Sequence, residues 1–220
     1  MINITISEKI RNHSTDIALG CIECTVCVGE SDRALRSAMG KLISRIQNTL
    51  TLETIHQLPR VEAARNFYKK IGKDPSRYRI SSEALLRRIY SNKGMYYINN
   101  VVDINNLISI DSHFSVGSYD VSRLKAPLQF SIGDPHEQFT SFGGKIVNLE
   151  NLPLFDDSIG PYGSPTCDSD RAIITNTTNH LLMVVISFSG IEGIEIFTRE
   201  AITYLKEYAS ATHIESRMIT

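Results

Sequence analysis

The sequence predicts an α+β fold in which helices pack on a mixed, mostly antiparallel sheet. Segments with apolar residues at helical spacing are concentrated between residues 31 and 90. Short apolar runs separated by Gly, Pro, Asp and Ser dominate the second half of the chain, a pattern typical of strands joined by turns. Helices gathered early and strands gathered late are typical of the α+β class. With 220 residues, no internal repeat and no obvious linker, the chain is expected to form a single domain over 1–220.

Apolar spacing and capping residues predict two strands and then four helices in the first half. The predicted elements are strands at 2–6 and 17–28, a helix from Asp32 to Thr49, a short helix at 51–57, a helix from Pro59 up to Gly72, and a helix from Ser81 to about Tyr90. Ser31 is the predicted N-cap of the first long helix. Pro59 suits the first turn of its helix, because a proline there removes no intrahelical hydrogen bond.

The second half begins with INNVVDINNLISI, an asparagine-rich segment that predicts a turn followed by a helix. Strands are then predicted within SRLKAPLQFSIG at 122–133, FTSFGGKIVNL at 139–149, AIITN at 172–176 and LLMVVISFSG at 181–190. VGSYD, residues 116–120, is predicted to be a glycine-containing turn. A last helix is predicted from about Thr198 to Ala209.

Composition indicates a globular protein without membrane segments. Hydrophobic residues make up 42% of the chain and charged residues 21%, both ordinary for soluble proteins. The longest apolar runs are too short to span a bilayer, and the N-terminus MINITISEKI lacks the apolar core of a signal peptide. We therefore expect a cytoplasmic protein whose four cysteines stay reduced.

The four cysteines are the first candidate constellation, because four thiolates can close a zinc site. Cys21, Cys24 and Cys27 lie in ALGCIECTVCV, where strand alternation points Cys24 to one face and the other two to the opposite face. Cys167 is far downstream, and the six histidines are scattered. P-loop, dinucleotide-binding and HExxH motifs are absent from the sequence. The sequence thus predicts no metal and no cofactor, with the cysteines acting as small buried hydrophobes.

Positive charge is concentrated in residues 60–93. This segment holds ten Lys/Arg against three Asp/Glu, a net charge of +7 in a chain whose formal charge is -1. Such asymmetry favours an anionic partner bound at one place. The alternative is a solvated helical surface that offsets the acidic remainder.

Polar residues cluster at three other places. These are NNVVDINN, with Asn105 and Asn106; the VGSYD turn, with Gly117 and Tyr119; and GSPTCDSDRAIIT, with Asp168, Ser169, Asp170 and Arg171. Buried amides are expected to bind backbone or a ligand. The alternative for each cluster is turn formation and capping.

The order of these pieces resembles a known family. RNFYKKIGKDPSRYRISSEALLRRI followed by YINNVVDINNLISIDSHFSVGSYD is similar to the editing module of the phenylalanyl-tRNA synthetase beta subunit, formed by its fused third and fourth domains. The chain resembles most the small proteins that consist of that module alone. The resemblance covers about residues 55–190. It implies an α+β fold around a mixed sheet and a pocket that, in the full synthetase, hydrolyses tyrosine wrongly attached to the phenylalanine tRNA.

Residue by residue, the resemblance implies a pocket bordered by two polar segments and one turn. The expected pocket residues are Asn105, Asn106, Gly117, Tyr119, Asp168, Ser169 and Arg171, with Asp170 positioning the hydrolytic water and no metal. Arg77, Arg79, Arg87 and Arg88 are expected to contact RNA phosphates. Gly117 stands where many bacterial synthetases have a histidine, and this difference predicts room for a larger substrate.

Two functions of different classes follow from these observations. The first is a hydrolase that deacylates misacylated aminoacyl-tRNA in trans; the second is a module that binds tRNA or a free aromatic amino acid without turnover, which the missing histidine favours. An unrelated small-molecule enzyme on the same fold is a third reading. The adenylate-forming synthetase domain has no counterpart in the sequence, so the chain is not a complete tRNA ligase.

Overall fold

The computed structural model describes residues 1–91 and 94–220. Lys93, the last cation of the basic segment, lies outside the described residues. The helices are α1 (Glu8–Arg11), α2 (Arg33–Thr49), α3 (Pro59–Lys70), α4 (Ser81–Ile89), α5 (Asn100–Ser112) and α6 (Ile194–Ala209). The strands are β1 (Ile4–Ile6), β2 (Ala18–Thr25), β3 (Ser115–Asp120), β4 (Leu128–Ile132), β5 (Gln138–Thr140), β6 (Ile146–Asn148), β7 (Pro153–Asp157), β8 (Gly160–Gly163), β9 (His180–Ser187) and β10 (Thr212–Ile219).

Two four-stranded sheets and one hairpin form the β part of the protein. The central sheet has the order β10-β2-β9-β3, and all its pairs are antiparallel. The second sheet has the order β1-β4-β7-β8, in which only the β1–β4 pair is parallel. β5 and β6 pair separately as a hairpin. The predicted α+β fold with a mixed, mostly antiparallel sheet is confirmed.

The central sheet separates two apolar cores. Its first face packs against α2, α4, α5 and α6, and its second face packs against α3 and the second sheet. Strand β2 serves both cores, since Cys24 faces the first and Cys21 the second, as strand alternation predicts. Within the described ranges, none of the helices is long and apolar enough to cross a membrane.

The longer predicted helices are present, with one change of cap, whereas the short helix predicted at 51–57 is only a 3-10 turn over Ile55–Gln57. Asp32, not Ser31, caps α2, because its side chain accepts a hydrogen bond from the Leu35 backbone N–H at 2.8 Å. The Ser31 hydroxyl instead donates to the buried carboxylate of Asp103 on α5. Ser31 thereby ties the start of α2 to the helix that carries the asparagines.

The strands of the structure differ from the prediction in three respects. VGSYD is not a turn but most of β3, paired along its length with β9. AIITN forms no strand; its first residue ends a 3-10 turn, Asp170–Ala172, and the segment leads into β9. Strands β7, β8 and β10 were not predicted, because their sequences carry Pro, Gly or charged residues that depress strand propensity and only pairing makes them extended.

Candidate functional site

A cavity of about 540 Å³ opens between α4, α5, β3, the β5–β6 hairpin and the loop that follows β8. Its apolar wall includes Leu85, Tyr96, Ile98, Val102, Val116, Phe142 and Ile174. Its polar lining is Ser81, Arg88, Asn105, Asn106, Ser118, Ser141, Ser164, Thr166, Cys167 and Asp168. A mainly apolar cleft with a few convergent polar groups is the usual form of a small-molecule site.

Asp168 is the carboxyl group of this cavity. It lies in the loop after β8, where it pairs with Gly163 across an isolated bridge. Its Oδ1 accepts a hydrogen bond from the Tyr119 hydroxyl at 3.0 Å. Burial raises the pKa of Asp168 to about 7, although the hydrogen bonds from Tyr119 and from the Ser164 backbone act in the opposite direction. A carboxyl that titrates near neutral pH can serve either as a proton acceptor or as the partner of an ammonium group.

Helix α5 brings two asparagine amides to the cavity. Asn99 caps this helix by accepting a hydrogen bond from Val102 N at 2.9 Å, which fixes the rotation of its polar face. The Asn105 Oδ1 accepts a hydrogen bond from the Ser118 hydroxyl at 2.9 Å. The Asn106 side chain lines the cavity and has no hydrogen-bond partner among the described residues. Its amide is therefore free to bind a ligand.

Helix α4 supplies two more groups without partners. The Ser81 hydroxyl oxygen and the Arg88 Nε are buried atoms, and neither makes a hydrogen bond within the part of the chain that the structure describes. Both residues line the cavity. A buried polar group without a partner lowers the free energy of unfolding by about 1–3 kcal/mol. Two such groups on one wall of the cavity therefore indicate a binding site for a polar ligand.

Cys167 adjoins Asp168 but is not suited to nucleophilic attack. Burial raises the pKa of its thiol to about 11, with the Asp168 charge adding to the effect. The neutral thiol is a poor nucleophile. Ser164 orders this stretch of backbone, since its hydroxyl accepts from the Thr166 and Cys167 N–H groups at 3.1 and 3.0 Å.

Alternation along β3 decides which of its residues reach the cavity. Val116 and Ser118 line it, whereas Gly117 and Tyr119 point to the opposite face of the sheet. A Cβ on Gly117 would lie 2.4 Å from the Tyr119 hydroxyl oxygen. The tyrosine ring therefore fills the space that a side chain at position 117 would need. The prediction that Gly117 makes room for a larger substrate is wrong. Tyr119 acts on the site only through its hydrogen bond to Asp168.

The residues immediately after Asp168 also lie outside the cavity. Asp170 is exposed, and Ser169 is buried at the N-cap of the 3-10 turn, where it accepts from Arg171 N at 3.2 Å. Arg171 binds both carboxylate oxygens of Asp157 at 3.0 Å. The prediction that Asp170 lies in the pocket is therefore wrong, because the 3-10 turn leads the chain away from the cavity after Asp168.

The arginines of the basic segment have different environments. Glu83 is fully buried, and its carboxylate is contacted by Arg65 at 3.0 Å, Arg87 at 2.8 Å and Arg79 at 3.9 Å. Arg87 therefore pairs with a buried carboxylate. Replacing Arg87 by an acidic residue would destabilise the fold, whereas the same change at a fully exposed arginine would not. Arg77 is exposed in the α3–α4 loop. Three guanidinium groups around one carboxylate leave this surface positive.

Arg88 belongs to the cavity rather than to the outer basic face. Its guanidinium carbon lies 4.5 Å from the centre of the Tyr96 ring, and both residues line the cavity. Sequence reasoning missed Tyr96, Val116 and Ser118 as lining residues. The alternation of SVGSYD would have found the last two, had the segment been recognised as a strand.

The described residues contain no group of three or more His, Cys, Asp or Glu side chains that could hold a metal ion. Cys21 and Cys24 lie on opposite faces of β2, and Cys27 is exposed. The polar lining of the cavity consists of amides, hydroxyls, one thiol, one guanidinium and one carboxyl group.

Comparison with known proteins identifies the family. Residues 63–210 match the B3/4 domain. A solved N-terminal fragment of the phenylalanyl-tRNA synthetase beta subunit from Pyrococcus horikoshii is similar to all of this chain, with a TM-score of 0.52 and 13% identity, which establishes the fold alone. The chain spans 54% of that fragment, and no curated protein matches it. Because the family match covers more than half of the chain, the protein belongs to the B3/4 domain family, and its fold is similar to that of the phenylalanyl-tRNA synthetase beta-subunit fragment.

Proposed function

We propose that the cavity binds the aminoacyl group of a misacylated tRNA and that the protein hydrolyses its ester in trans. The observation that carries the proposal is the combination, in one cavity, of Asp168, whose pKa is raised to about 7, the unpaired Ser81 hydroxyl and Arg88 Nε, and the Asn106 amide. An aminoacyl ester presents an ammonium group, a carbonyl and an apolar side chain. The cavity offers hydrogen-bond donors to the carbonyl group and an apolar wall to the side chain.

Three polar groups of the cavity have roles in the proposed ester hydrolysis. The Asp168 carboxylate accepts a proton from a water molecule as that water attacks the ester carbonyl. The tetrahedral oxyanion accepts hydrogen bonds from the Asn106 amide and the Ser81 hydroxyl. The bond to the ribose oxygen then breaks, and the proton on Asp168 returns to that oxygen. Such preorganised donors cost no reorganisation during the reaction, because they are already unpaired.

The remaining cations suit contacts with the tRNA backbone. Arg77 and Arg79 are exposed beyond α3, where they contact phosphates in this proposal. Arg87 contributes charge to the same surface while holding Glu83. Phosphate contacts of this kind make binding steeply dependent on salt. The proposed activity belongs with the translation machinery in the cytoplasm.

A deacylation assay tests the proposal. Wild-type protein is incubated with radiolabelled tyrosyl- and phenylalanyl-tRNA, and loss of the ester is followed against the spontaneous rate. Asp168→Asn is expected to lower the rate at least 100-fold, because general-base catalysis contributes about 10²–10⁴-fold. Asp170→Asn is the matched control, with the same chemical change on an exposed residue two positions away, and it is expected to keep the wild-type rate. Equal rates for wild type and Asp168→Asn would exclude Asp168 as the base.

A non-catalytic module that binds a free aromatic amino acid is the second candidate, and Arg88 favours it. Its buried Nε has no partner among the described residues, and a free carboxylate would pair with a guanidinium group there. Calorimetric titration with L-tyrosine and with its methyl ester separates the two functions. Binding of the free amino acid that is lost in Arg88→Gln, while the ester binds both proteins equally, supports the second candidate.

A further inference from the structure

We infer that two tyrosine–arginine pairs at the mouth of the cavity, Tyr96 with Arg88 and Tyr97 with Arg36, form a stacking platform for unpaired nucleotides at a single-stranded RNA end. The inference deepens the proposed function and rests on it for the order of the nucleotides along the platform. Tyr96 and Arg88 also line the cavity, whereas Tyr97 and Arg36 lie outside its lining.

The two tyrosines differ in exposure from the tyrosines of the core. Tyr96 and Tyr97 are 43% and 40% exposed, whereas Tyr68, Tyr119 and Tyr162 are fully buried. They are adjacent in the segment between α4 and α5. Packing in a core does not account for two consecutive half-exposed rings, since exposing aromatic surface to water is unfavourable.

Each ring is paired with a guanidinium group from a different helix. The Arg88 guanidinium of α4 lies 4.5 Å from the Tyr96 ring centre, and the Arg36 guanidinium of α2 lies 5.2 Å from the Tyr97 ring centre. The Arg36 Nε donates to the Ser31 carbonyl oxygen at 2.9 Å, which fixes the orientation of that guanidinium. Rings and arginines interleaved in this way match the sequence-tolerant binding of single strands, where bases stack on aromatic rings and cations contact phosphates.

The segment that carries the tyrosines is held at its base. The Ile98 backbone N–H donates to Asp103 Oδ1 at 3.1 Å, and the Ser31 hydroxyl donates to the other carboxylate oxygen. Burial raises the pKa of Asp103, and the Ser31 hydrogen bond opposes that rise. This buried carboxyl therefore joins the tyrosine segment, α5 and the start of α2 into one unit, so the two rings are presented on a fixed support.

Charge around the platform suits a polyanion. Helix α2 carries four cations and no acidic residue between Arg33 and Thr49. One of the four, Arg45, is paired with Asp111, which leaves the cations near the N-terminal half of the helix available to phosphates. A protein of net charge -1 thus places a locally positive helix beside its exposed tyrosines.

The position of Tyr96 sets the order of the nucleotides. Tyr96 lines the cavity, and Tyr97 is the next residue, paired with a more distant helix. A nucleotide whose ester enters the cavity stacks on Tyr96, and the preceding nucleotide stacks on Tyr97. The ligand class is therefore an unpaired RNA end, not a duplex, because paired bases do not expose their faces.

Fluorescence anisotropy with an unacylated RNA tests the platform separately from the amino-acid pocket. The probe is a 5′-labelled single-stranded RNA hexamer with a free 3′ hydroxyl, and the comparison ligand is a blunt duplex of equal length. Tyr96→Ala and Tyr97→Ala are each expected to raise the Kd for the single strand roughly 5- to 150-fold, the range of base–aromatic stacking. Tyr96→Phe and Tyr97→Phe keep the ring and are expected to bind within about 3-fold of wild type.

The arginines are tested by salt dependence. Arg36→Gln is expected to reduce the slope of log Kd against log salt by about 0.7, the value for one phosphate contact on a single strand. Arg123→Gln removes the same charge from an exposed site on the second-sheet side and is expected to leave the slope unchanged. Melting temperatures of all variants establish that each is folded.

The outcomes separate this inference from the proposed function. Wild-type affinity in both alanine variants, or equal affinity for the duplex and the single strand, overturns the platform even if the protein deacylates tRNA. Loss of hexamer binding in the alanine variants, with the phenylalanine variants intact, supports the platform even if no ester is hydrolysed.

Discussion

Replacing Asp168 by asparagine is expected to stabilise the protein at neutral and alkaline pH. Asparagine has nearly the same shape as aspartate, and its Oδ1 can still accept the hydrogen bond from the Tyr119 hydroxyl, which measures 3.0 Å in the wild type. The substitution therefore removes a charge and little else. Burial raises the pKa of this carboxyl from 3.8 to about 7, so the ionised form is disfavoured in the folded state.

The sign of the pH dependence follows from proton linkage. Between pH 4 and 7 the unfolded chain has released the Asp168 proton while the folded chain retains it, so the free energy of unfolding falls as the pH rises. The loss is complete above pH 7. One pKa unit corresponds to about 1.36 kcal/mol, and the shift at Asp168 therefore sets an upper bound of roughly 4 kcal/mol.

Differential scanning calorimetry at pH 5 and pH 8 measures this effect. The Asp168→Asn variant is expected to melt above the wild type at pH 8 by up to roughly 8–16 °C, since 1 kcal/mol shifts the melting temperature of a chain this long by about 2–4 °C. At pH 5 the difference is expected to be less than half as large. Asp170→Asn makes the same chemical change on an exposed side chain, and its melting temperature should stay within about 1 °C of the wild type at both pH values.

One result would refute this reasoning. If Asp168→Asn melts below the wild type at pH 8, the carboxylate is stabilised by contacts in the folded state, and its raised pKa is not the property that defines the cavity. A difference that does not change between pH 5 and pH 8 would also show that the two states hold the proton equally.

Three further substitutions test other parts of the structure. Arg87→Ala removes one of the partners of the buried Glu83 carboxylate and is expected to lower the free energy of unfolding by about 1–3 kcal/mol in urea titration; a change below 0.5 kcal/mol would mean that the remaining arginines compensate fully. Gly117→Ala places a Cβ 2.4 Å from the Tyr119 hydroxyl oxygen and is expected to cost about 1–3 kcal/mol, so an unchanged melting temperature would contradict the packing described. Cys167→Ser should keep any deacylation rate within about 3-fold at pH 7, because burial raises the pKa of this thiol to about 11 and a protonated thiol is a poor nucleophile; a loss above 10-fold would assign the thiol a chemical role.

Helices were predicted well because their determinants are local. Pro59 opens α3 and the apolar spacing of α2 continues to Thr49, as the sequence predicts. The cap of α2 was misassigned by one residue, because Ser31 and Asp32 are equally good caps by type. Only the tertiary contact between Ser31 and Asp103 decides between them.

The candidate site was predicted in part, for a physical reason that β3 illustrates. Asn105, Asn106 and Asp168 line the cavity, and their residue types and clustering are visible in the sequence. Gly117 and Tyr119 were assigned to the cavity because the resemblance places the VGSYD segment beside the pocket and because that segment was predicted to be a turn, where alternation does not apply. Once the segment is a strand, a shift of one residue moves every side chain to the opposite face.

The unpaired groups of the cavity are best understood together. The structure leaves the Ser81 hydroxyl and the Arg88 Nε without partners among the described residues, and it raises the pKa of Asp168 by burial. Each of these features lowers the stability of the fold, and a packing role explains none of them. A ligand that brings a hydrogen-bond donor to Asp168 and acceptors to Arg88 and Ser81 would offset all three costs at once. The groups that lower the stability of the free protein are therefore the groups that would bind the ligand. Binding would stabilise the folded protein by supplying the partners that folding does not provide.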